Sequence, residues 1–235
     1  MKPRHIFNAF ASIVPVLGLL PGCAIFSNQV AGVRQVDDLV GRIERVHLEA
    51  EVSKARVRDA LESLHIIVDD DFIGDPLVAF EGFLEAIEVS TEQAETLEEA
   101  LTPVKETGFA VFNQWEADLL TFSMPEMRNR SRARLEGTRN SYNEVIEATE
   151  SAHAAFRTFN LGLNDHATFL GNDFNPAAVR EIQREVQTLT EWAREVESRL
   201  DATLDACELY VGSAALPGSV VVGPGGGQGS SVPGR

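Results

Sequence analysis

The chain has 235 residues, enough for one ordinary domain with terminal extensions. Its formal net charge is −16, and aromatic residues make up 7% of it. Nucleic-acid binding depends on basic side chains that neutralise phosphates, so this charge argues against a DNA- or RNA-binding protein. No nucleic-acid partner is therefore expected.

The first 22 residues have the organisation of an export signal peptide. Lys2, Arg4 and His5 precede a largely apolar run from Ala9 to Leu20. That run is shorter than the ~20 apolar residues that a membrane-spanning helix needs. Loss of residues 1–22, which contain Lys2 and Arg4, would change the net charge from −16 to −18.

The apolar run ends in Leu20-Pro21-Gly22-Cys23, which resembles the lipobox of bacterial lipoproteins. In that family of signals the cysteine is lipidated and becomes the first residue of the mature protein. Pro21 departs from the small residue usual at its position, and ordinary cleavage after Ala24 is the alternative. We predict lipidation of Cys23, and hence membrane attachment of an exported, periplasm-facing envelope protein, with the outer membrane favoured over the inner.

The first helix is predicted from Val36 to Val68, preceded by a tether at residues 23–35 that shows little pattern. Apolar residues recur along this helix at spacings of three and four, which is the pattern of one buried helical face. His47 and Lys54 interrupt that row, so we expect the helix to be less buried in its middle. The run Asp69-Asp70-Asp71 lacks the ligand spacing of a calcium loop and indicates a solvated turn.

The second helix is predicted to start at Asp75-Pro76, an N-cap residue followed by a first-turn proline. Pro103 lies within it and should interrupt its backbone hydrogen bonds and bend its axis. An apolar face continues beyond Pro103 to a turn at residues 123–125. Ser123 and Glu126 have the spacing of a capping box for the third helix.

The third helix carries the clearest pattern in the chain. Its repeat of about 3.5 residues predicts partner helices that run alongside it. The row comprises Leu135, Thr138, Tyr142, Val145, Thr149, Ala152, Phe156, Phe159, Leu163, His166 and Leu170. His166 is best interpreted as a hydrogen-bonded core histidine and not as a metal ligand.

The fourth helix is predicted to start at Asn175-Pro176, and its apolar row continues to Tyr210. Cys207 lies on that row and would have no partner in the chain if Cys23 is lipidated, so we interpret it as a packed core thiol and not as a reactive one. Residues 215–235 are rich in glycine and proline and are predicted to form a disordered tail.

The predicted fold is all-α, with long antiparallel helices. Short turns near residues 69–75, 123–125 and 171–176 return each helix along its predecessor. Because the second and third helices are longer than the other two, we predict a four-helix bundle within residues 36–214. It would extend into a projecting two-helix coiled-coil hairpin at about residues 104–142.

Five arginines lie close together at the predicted end of this hairpin: Arg128, Arg130, Arg132, Arg134 and Arg139. One interpretation is a solvated mixed-charge surface in which they pair with Glu116, Asp118, Glu126 and Glu136. The other is a contact surface for anionic lipid or for an envelope protein.

No motif in the sequence predicts catalysis or a cofactor. Two Glu-x-x-His spellings, Glu62 to His65 and Glu150 to His153, match the ligand pattern of di-metal helical bundles. In the predicted hairpin order the two pairs are ~21 Å apart along the axis, too far for one bridged metal pair. We expect no metal and no enzyme activity.

The chain resembles a bacterial family described as domain of unknown function 2959 over about residues 36–211. The resemblance is strongest at Phe112-x-x-Trp115-Glu116-x-x-Leu119 and at Ser131-x-x-x-Leu135-x-x-Thr138-x-x-x-Tyr142. It implies a long-helical and often exported protein with no established activity, so it carries over no functional residue.

These observations predict a non-enzymatic envelope lipoprotein that acts as a helical scaffold or interaction module. The second hypothesis is a membrane-binding or membrane-remodelling coiled-coil protein, and the least favoured is a di-metal bundle enzyme. The sequence leaves the oligomeric state open.

Overall fold

A computed structural model describes residues 23–214 of the chain, with side chains from residue 32 onward. The predicted signal peptide and the predicted tail lie outside the described residues. Within them the protein is all-α and no strand is present, which confirms the predicted fold class. The helices are α1 Cys23–Val68, α2 Pro76–Leu119, α3 Pro125–Asn172, α4 Pro176–Gln183 and α5 Val186–Ala214.

The four long helices pack side by side in a manner consistent with a bundle. Helix α1 packs against α2 and α5, and α3 also packs against α2 and α5. Charged side chains show that α1 and α5 are antiparallel, because partners further along α1 lie earlier on α5. These pairs are His47 with Glu208, Lys54 with Asp201 and Arg58 with Glu197.

The predicted apolar rows of α3 and α5 form much of the core. Val145, Phe156 and Leu163 of α3 are fully buried, as are Val196 and Leu200 of α5. Burial of these side chains at a helical repeat gives each long helix one continuous face that must be covered by its neighbours. The periodic patterns that predicted helix packing are therefore confirmed.

The expectation that α1 is less buried in its middle is wrong. Val46, Ala50 and Val57 are fully buried there. The two interruptions of the row lie between these buried residues, and each places its polar end near a carboxylate of α5: His47 Nε2 lies 3.5 Å from Glu208 Oε1, and Lys54 pairs with Asp201. The long stem of a lysine can cover apolar surface while its ammonium group reaches a partner at the edge.

Two of the three predicted N-terminal caps are present. Asp75 Oδ1 accepts a hydrogen bond from Leu77 N at 2.9 Å, and Asn175 Oδ1 accepts from Ala177 N at 2.8 Å. The capping box predicted for Ser123 and Glu126 is wrong. The N-cap of α3 is Met124, and no side chain caps this helix.

Two predicted helix boundaries also need correction. The segment predicted as an unpatterned tether is helical, since α1 begins at Cys23 and not near Val36. The predicted fourth helix is divided into α4 and α5 between Gln183 and Val186, where the sequence has neither proline nor glycine. At this break Gln183 Nε2 donates to Val68 O at 3.2 Å, so a tertiary hydrogen bond satisfies a carbonyl at the end of α1.

Pro103, which was expected to interrupt the second helix, lies inside α2, and the helix continues past it to Leu119.

Candidate functional site at the turn between α2 and α3

The turn that joins α2 to α3 is held by local hydrogen bonds. Leu120 N donates to Ala117 O and Thr121 N donates to Asp118 O, at 3.1 and 3.0 Å. The hydroxyl of Thr121 donates to the same Asp118 carbonyl at 2.8 Å. These bonds satisfy the last carbonyls of α2 and give the turn a defined shape.

Contacts between the two helices support this turn from below. Trp115 Nε1 donates to Ser131 Oγ at 2.9 Å, and Leu119 and Leu135 are buried. Trp115 and Leu135 belong to the residues that carried the family resemblance. We call residues 119–135 the tip.

Apolar side chains are exposed at the tip. Leu120 is 82% exposed, Met124 is 58% exposed and Met127 is 40% exposed. Single exposed apolar residues are common on proteins, but three within eight residues, two in the turn and one in the first turn of α3, provide apolar surface that can bind a partner.

Two of the five predicted arginines stabilise the hairpin itself. Arg128 Nη2 donates to Phe122 O at 2.5 Å, which ties α3 to the turn. Arg139 pairs with Glu116 at 2.8 Å, and its guanidinium lies 5.2 Å from the ring centroid of Phe112. Both side chains are half-buried, so their main role is in joining α2 and α3.

The other three arginines are exposed on the tip. Arg130, Arg132 and Arg134 make no ion pair with any residue that the structure describes. Of the four acidic partners considered from the sequence, Glu116 pairs with Arg139, and Asp118 accepts a hydrogen bond from Gln114 Nε2 at 2.8 Å. Residues 119–135 contain four arginines and one glutamate, a local charge of +3 on a strongly acidic chain.

The N-cap of α3 differs from those of α2 and α4, which are Asp75 and Asn175. Met124 has φ −93° and ψ 115°, close to the φ −85° and ψ 113° of the N-cap Asp75. The same backbone geometry thus carries a capping carboxylate at one turn and an exposed methionine at the other. Departures from favourable local sequence are concentrated at functional sites, and Met124-Pro125 is the sequence signal that could have drawn attention to this turn.

The residues of the two Glu-x-x-His motifs lie in different parts of the bundle and make separate contacts. Glu150 pairs with Lys105 at 2.6 Å, and His153 Nε2 lies 3.7 Å from Glu98 Oε2. Burial lowers the pKa of His153, which favours its neutral form, while Glu98 opposes this and Arg157 adds to it. Glu62 and His65 line an open groove between α1 and α5. Over residues 32–214, whose side chains the structure describes, no three His, Cys, Asp or Glu side chains come together as a metal site would require.

Cys207 is a buried free thiol, as the apolar row of α5 predicted. Burial raises its pKa to about 12, with a smaller contribution from Glu208. The thiolate is the nucleophilic form of cysteine, so this side chain is inert at neutral pH.

His166 is mostly buried and bonded to its own helix. Its Nδ1 lies 2.7 Å from Gly162 O, which confirms the predicted hydrogen-bonded core histidine. Its Nε2 approaches Glu185 Oε2 at 3.3 Å, although the direction of approach does not make a hydrogen bond.

Cys23, the predicted lipidation site, is the first residue of α1. In the part of the chain described, no helix combines the length and the apolar composition needed to span a bilayer.

The chain matches a protein-family model. The model described as Protein of unknown function (DUF2959) matches residues 27–213, which include both helices of the tip. Searches of curated proteins and of solved structures gave no match. Since the matched region covers most of its length, the chain belongs to the family described as domain of unknown function 2959.

Proposed function

We propose that the protein is a non-enzymatic scaffold, a helical rod tethered to the cell envelope through a lipid on Cys23. In this proposal α1, α2, α3 and α5 form a four-helix bundle, and α2 and α3 continue beyond it as a hairpin. Its support is that Leu119 and Leu135, the buried residues nearest the turn, come from α2 and α3. Tyr210, near the end of α5, lies close to Tyr142, which is seven residues further along α3 from the turn than Leu135.

The observation that carries the scaffold proposal is the composition of the tip. Arg130, Arg132 and Arg134 are exposed in the first turns of α3, and Leu120 and Met124 are exposed in the turn that precedes this helix. Exposed cations and exposed apolar side chains within one short segment are a common composition for a surface that binds another molecule, because the apolar part gains from burial and the charges select the partner. In such a scaffold the tip and the lipid on Cys23 would lie toward the same end of the rod, because α1 and α2 are antiparallel and nearly equal in length, with 46 and 44 residues.

The membrane tether is tested by metabolic labelling with a radioactive fatty acid. We expect incorporation into the wild-type protein and its loss in Cys23→Ala. Cleavage after Ala24 without incorporation would contradict the tether and leave a free exported protein.

A second candidate function is direct contact of the tip with an anionic membrane. The exposed Leu120 and Met124 support it, since apolar side chains flanked by arginines can enter the headgroup region while the arginines bind lipid phosphates. Attraction of about 1 kcal/mol per arginine would give a loss of binding on the order of 100-fold when three are removed.

Vesicle flotation distinguishes the two candidates. The chain from residue 23 onward, with Cys23→Ala, is compared with a tip variant carrying Arg130→Gln, Arg132→Gln and Arg134→Gln. A matched control removes three exposed arginines elsewhere: Arg157→Gln, Arg184→Gln and Arg194→Gln. Loss of binding to anionic vesicles in the tip variant alone supports membrane contact, whereas equal binding by all three proteins excludes it.

A further inference from the structure

The end of the molecule opposite the tip has a groove of its own. The turn before α2 and the turn before α4 lie side by side there, with the rings of Phe80 and Phe174 5.2 Å apart. A groove of about 330 Å³ runs between them. We call residues 69–76 and 173–180 the base.

The groove is lined by both apolar and charged residues. The apolar lining includes Ile67, Phe72 and Val179, and the charged lining residues are Asp69, Asp70 and Arg180. Beyond the groove, Ile73 is 98% exposed, so the base also presents an uncovered apolar side chain.

The base has the opposite charge to the tip. Its residues include Asp69, Asp70, Asp71, Asp75 and Asp173 against Arg180, which gives a local charge of −4. Three of these carboxylates have structural roles: Asp75 caps α2, Asp69 Oδ1 accepts a hydrogen bond from Asp71 N at 3.0 Å, and Asp173 accepts one from Asn175 Nδ2 at 2.6 Å. Asp70 and Asp71 are exposed to solvent.

Tip and base of one molecule cannot neutralise each other. They lie at the two ends of α2, whose 44 residues span ~66 Å at 1.5 Å per residue. Charges attract little beyond a Debye length, which is about 10 Å at 0.1 M ionic strength. The complementary charges of tip and base can therefore pair only between molecules.

We propose that the base groove binds the tip of a second copy of this chain. Leu120 and Met124 would enter the groove, while Arg130 and Arg134, which lie on one face of α3, would approach the carboxylates that line it. This inference deepens the proposed scaffold function, on which it rests, by naming the partner. A contact between unlike surfaces is heterologous, so it adds rods tip to base in open chains. The surfaces are small, and the association is correspondingly weak and depends on salt.

The test measures self-association by sedimentation velocity over a range of protein concentrations, at about 0.1 M and about 1 M salt. It uses the chain from residue 23 onward, which contains both hydrophobic core clusters, with Cys23→Ala so that a lipid cannot drive association. The tip variant carries Arg130→Gln, Arg132→Gln and Arg134→Gln. The base variant carries Asp69→Asn, Asp70→Asn and Asp71→Asn, and its matched control carries Glu88→Gln, Glu92→Gln and Glu95→Gln on the exposed side of α2.

We expect the parent chain and the control to form a series of oligomers at the lower salt. Each of the tip and base variants should associate at least about tenfold more weakly, and so should the parent at the higher salt, where the Debye length is about 3 Å. A mixture of the two variants distinguishes this geometry from others. The tip variant keeps an intact base and the base variant an intact tip, so the mixture should form dimers that cannot grow.

Three results would overturn the inference. They are a parent chain that stays monomeric at the lower salt, a base variant that associates as well as the parent, and a mixture that forms no dimers. Binding of the tip to anionic vesicles without self-association would assign the tip to lipid and also overturn it. None of these results bears on the lipid tether, which fatty-acid labelling tests separately.

Discussion

At the scale of single residues, Gly108 allows α2 and α3 to approach each other below the hairpin. A Cβ atom at this position would lie 2.5 Å from Cε2 of Tyr142. The Tyr142 ring is held in place by Phe112, with ring centroids 5.1 Å apart, and its hydroxyl lies 3.5 Å from Val104 O. The absence of a side chain on Gly108 is therefore what admits the ring.

We predict that Gly108→Ala destabilises the protein. Alanine gains about 1 kcal/mol over glycine in helix propensity, but the displaced ring costs about 1–3 kcal/mol in strain and lost packing. Gly137→Ala is the matched control, because nothing lies within 4 Å of a Cβ atom there and the propensity gain should remain. Urea unfolding measures both. Equal stabilisation by the two variants would show that Tyr142 moves aside at no cost.

Sequence periodicity located the buried positions but not their partners. Thr149 and Cys207 lie on the predicted rows and are buried. By contrast, Ser90 Oγ donates to Asn160 Oδ1 at 2.7 Å across 70 residues, and no local pattern indicated that pair. Hydrogen bonds between helices depend on the register in which the helices meet, which a repeat along one helix does not determine.

At the scale of elements, three helices begin with an N-cap residue followed by proline. Asp75 and Asn175 cap α2 and α4, whereas Met124 leaves α3 without a side-chain cap. The first backbone N–H groups of a helix have no partner within it, so an uncapped start forgoes a stabilising hydrogen bond. At the tip this stabilisation is replaced by an exposed apolar side chain.

We predict that Met124→Asp stabilises the protein by about 0.5–2 kcal/mol. The backbone at Met124 already has the conformation of the N-cap Asp75, so the new carboxylate should accept from the N–H of Glu126. Ser123→Ala should change stability by less than about 0.5 kcal/mol, because Ser123 is exposed and does not cap α3. Thermal unfolding measures both variants. A large loss of stability in Ser123→Ala would instead indicate that Ser123 caps α3, as the sequence predicted.

The helix starts and the two corrected boundaries show what local sequence determines. Asp75-Pro76 and Asn175-Pro176 specify a start through the side chain and ring of adjacent residues, so they could be predicted. The break between α4 and α5 accompanies the contact of Gln183 with Val68, residues that are far apart in sequence. The exposed Leu120 and Met124 of the tip were also missed, since the same pattern of apolar residues continues from the buried face into the turn.

At the scale of the whole molecule, the core divides into two clusters along its length. The first contains Ala50, Leu97, Ala152 and Leu200 and extends toward the base. The second contains Val46, Leu101, Val145 and Cys207 and extends toward the tip.

Buried threonines lie at this division on two helices. Thr149 falls between Val145 and Ala152, and Thr203 falls between Leu200 and Cys207. Each hydroxyl donates to a carbonyl of its own helix, Thr149 to Val145 O at 2.7 Å and Thr203 to Arg199 O at 3.2 Å. They therefore add no hydrogen bond between helices, and they interrupt apolar contact between the clusters.

We predict that the two clusters open separately in native-state hydrogen exchange. The base-side cluster has 23 buried hydrophobic residues and the tip-side cluster has 14, so amides around the second should exchange at a lower free energy of opening.

Replacing both threonines by valine, Thr149→Val and Thr203→Val, should join the clusters, because each change replaces a buried hydroxyl with a methyl group that packs on both sides. We expect about 1 kcal/mol of stabilisation per site and slower exchange in the tip-side half. Thr158→Val is the control, since its hydroxyl also donates within its helix but the side chain is exposed. Uniform exchange along the parent protein would instead mean that it opens as one cooperative unit and that the threonines do not separate the core into two independently opening parts.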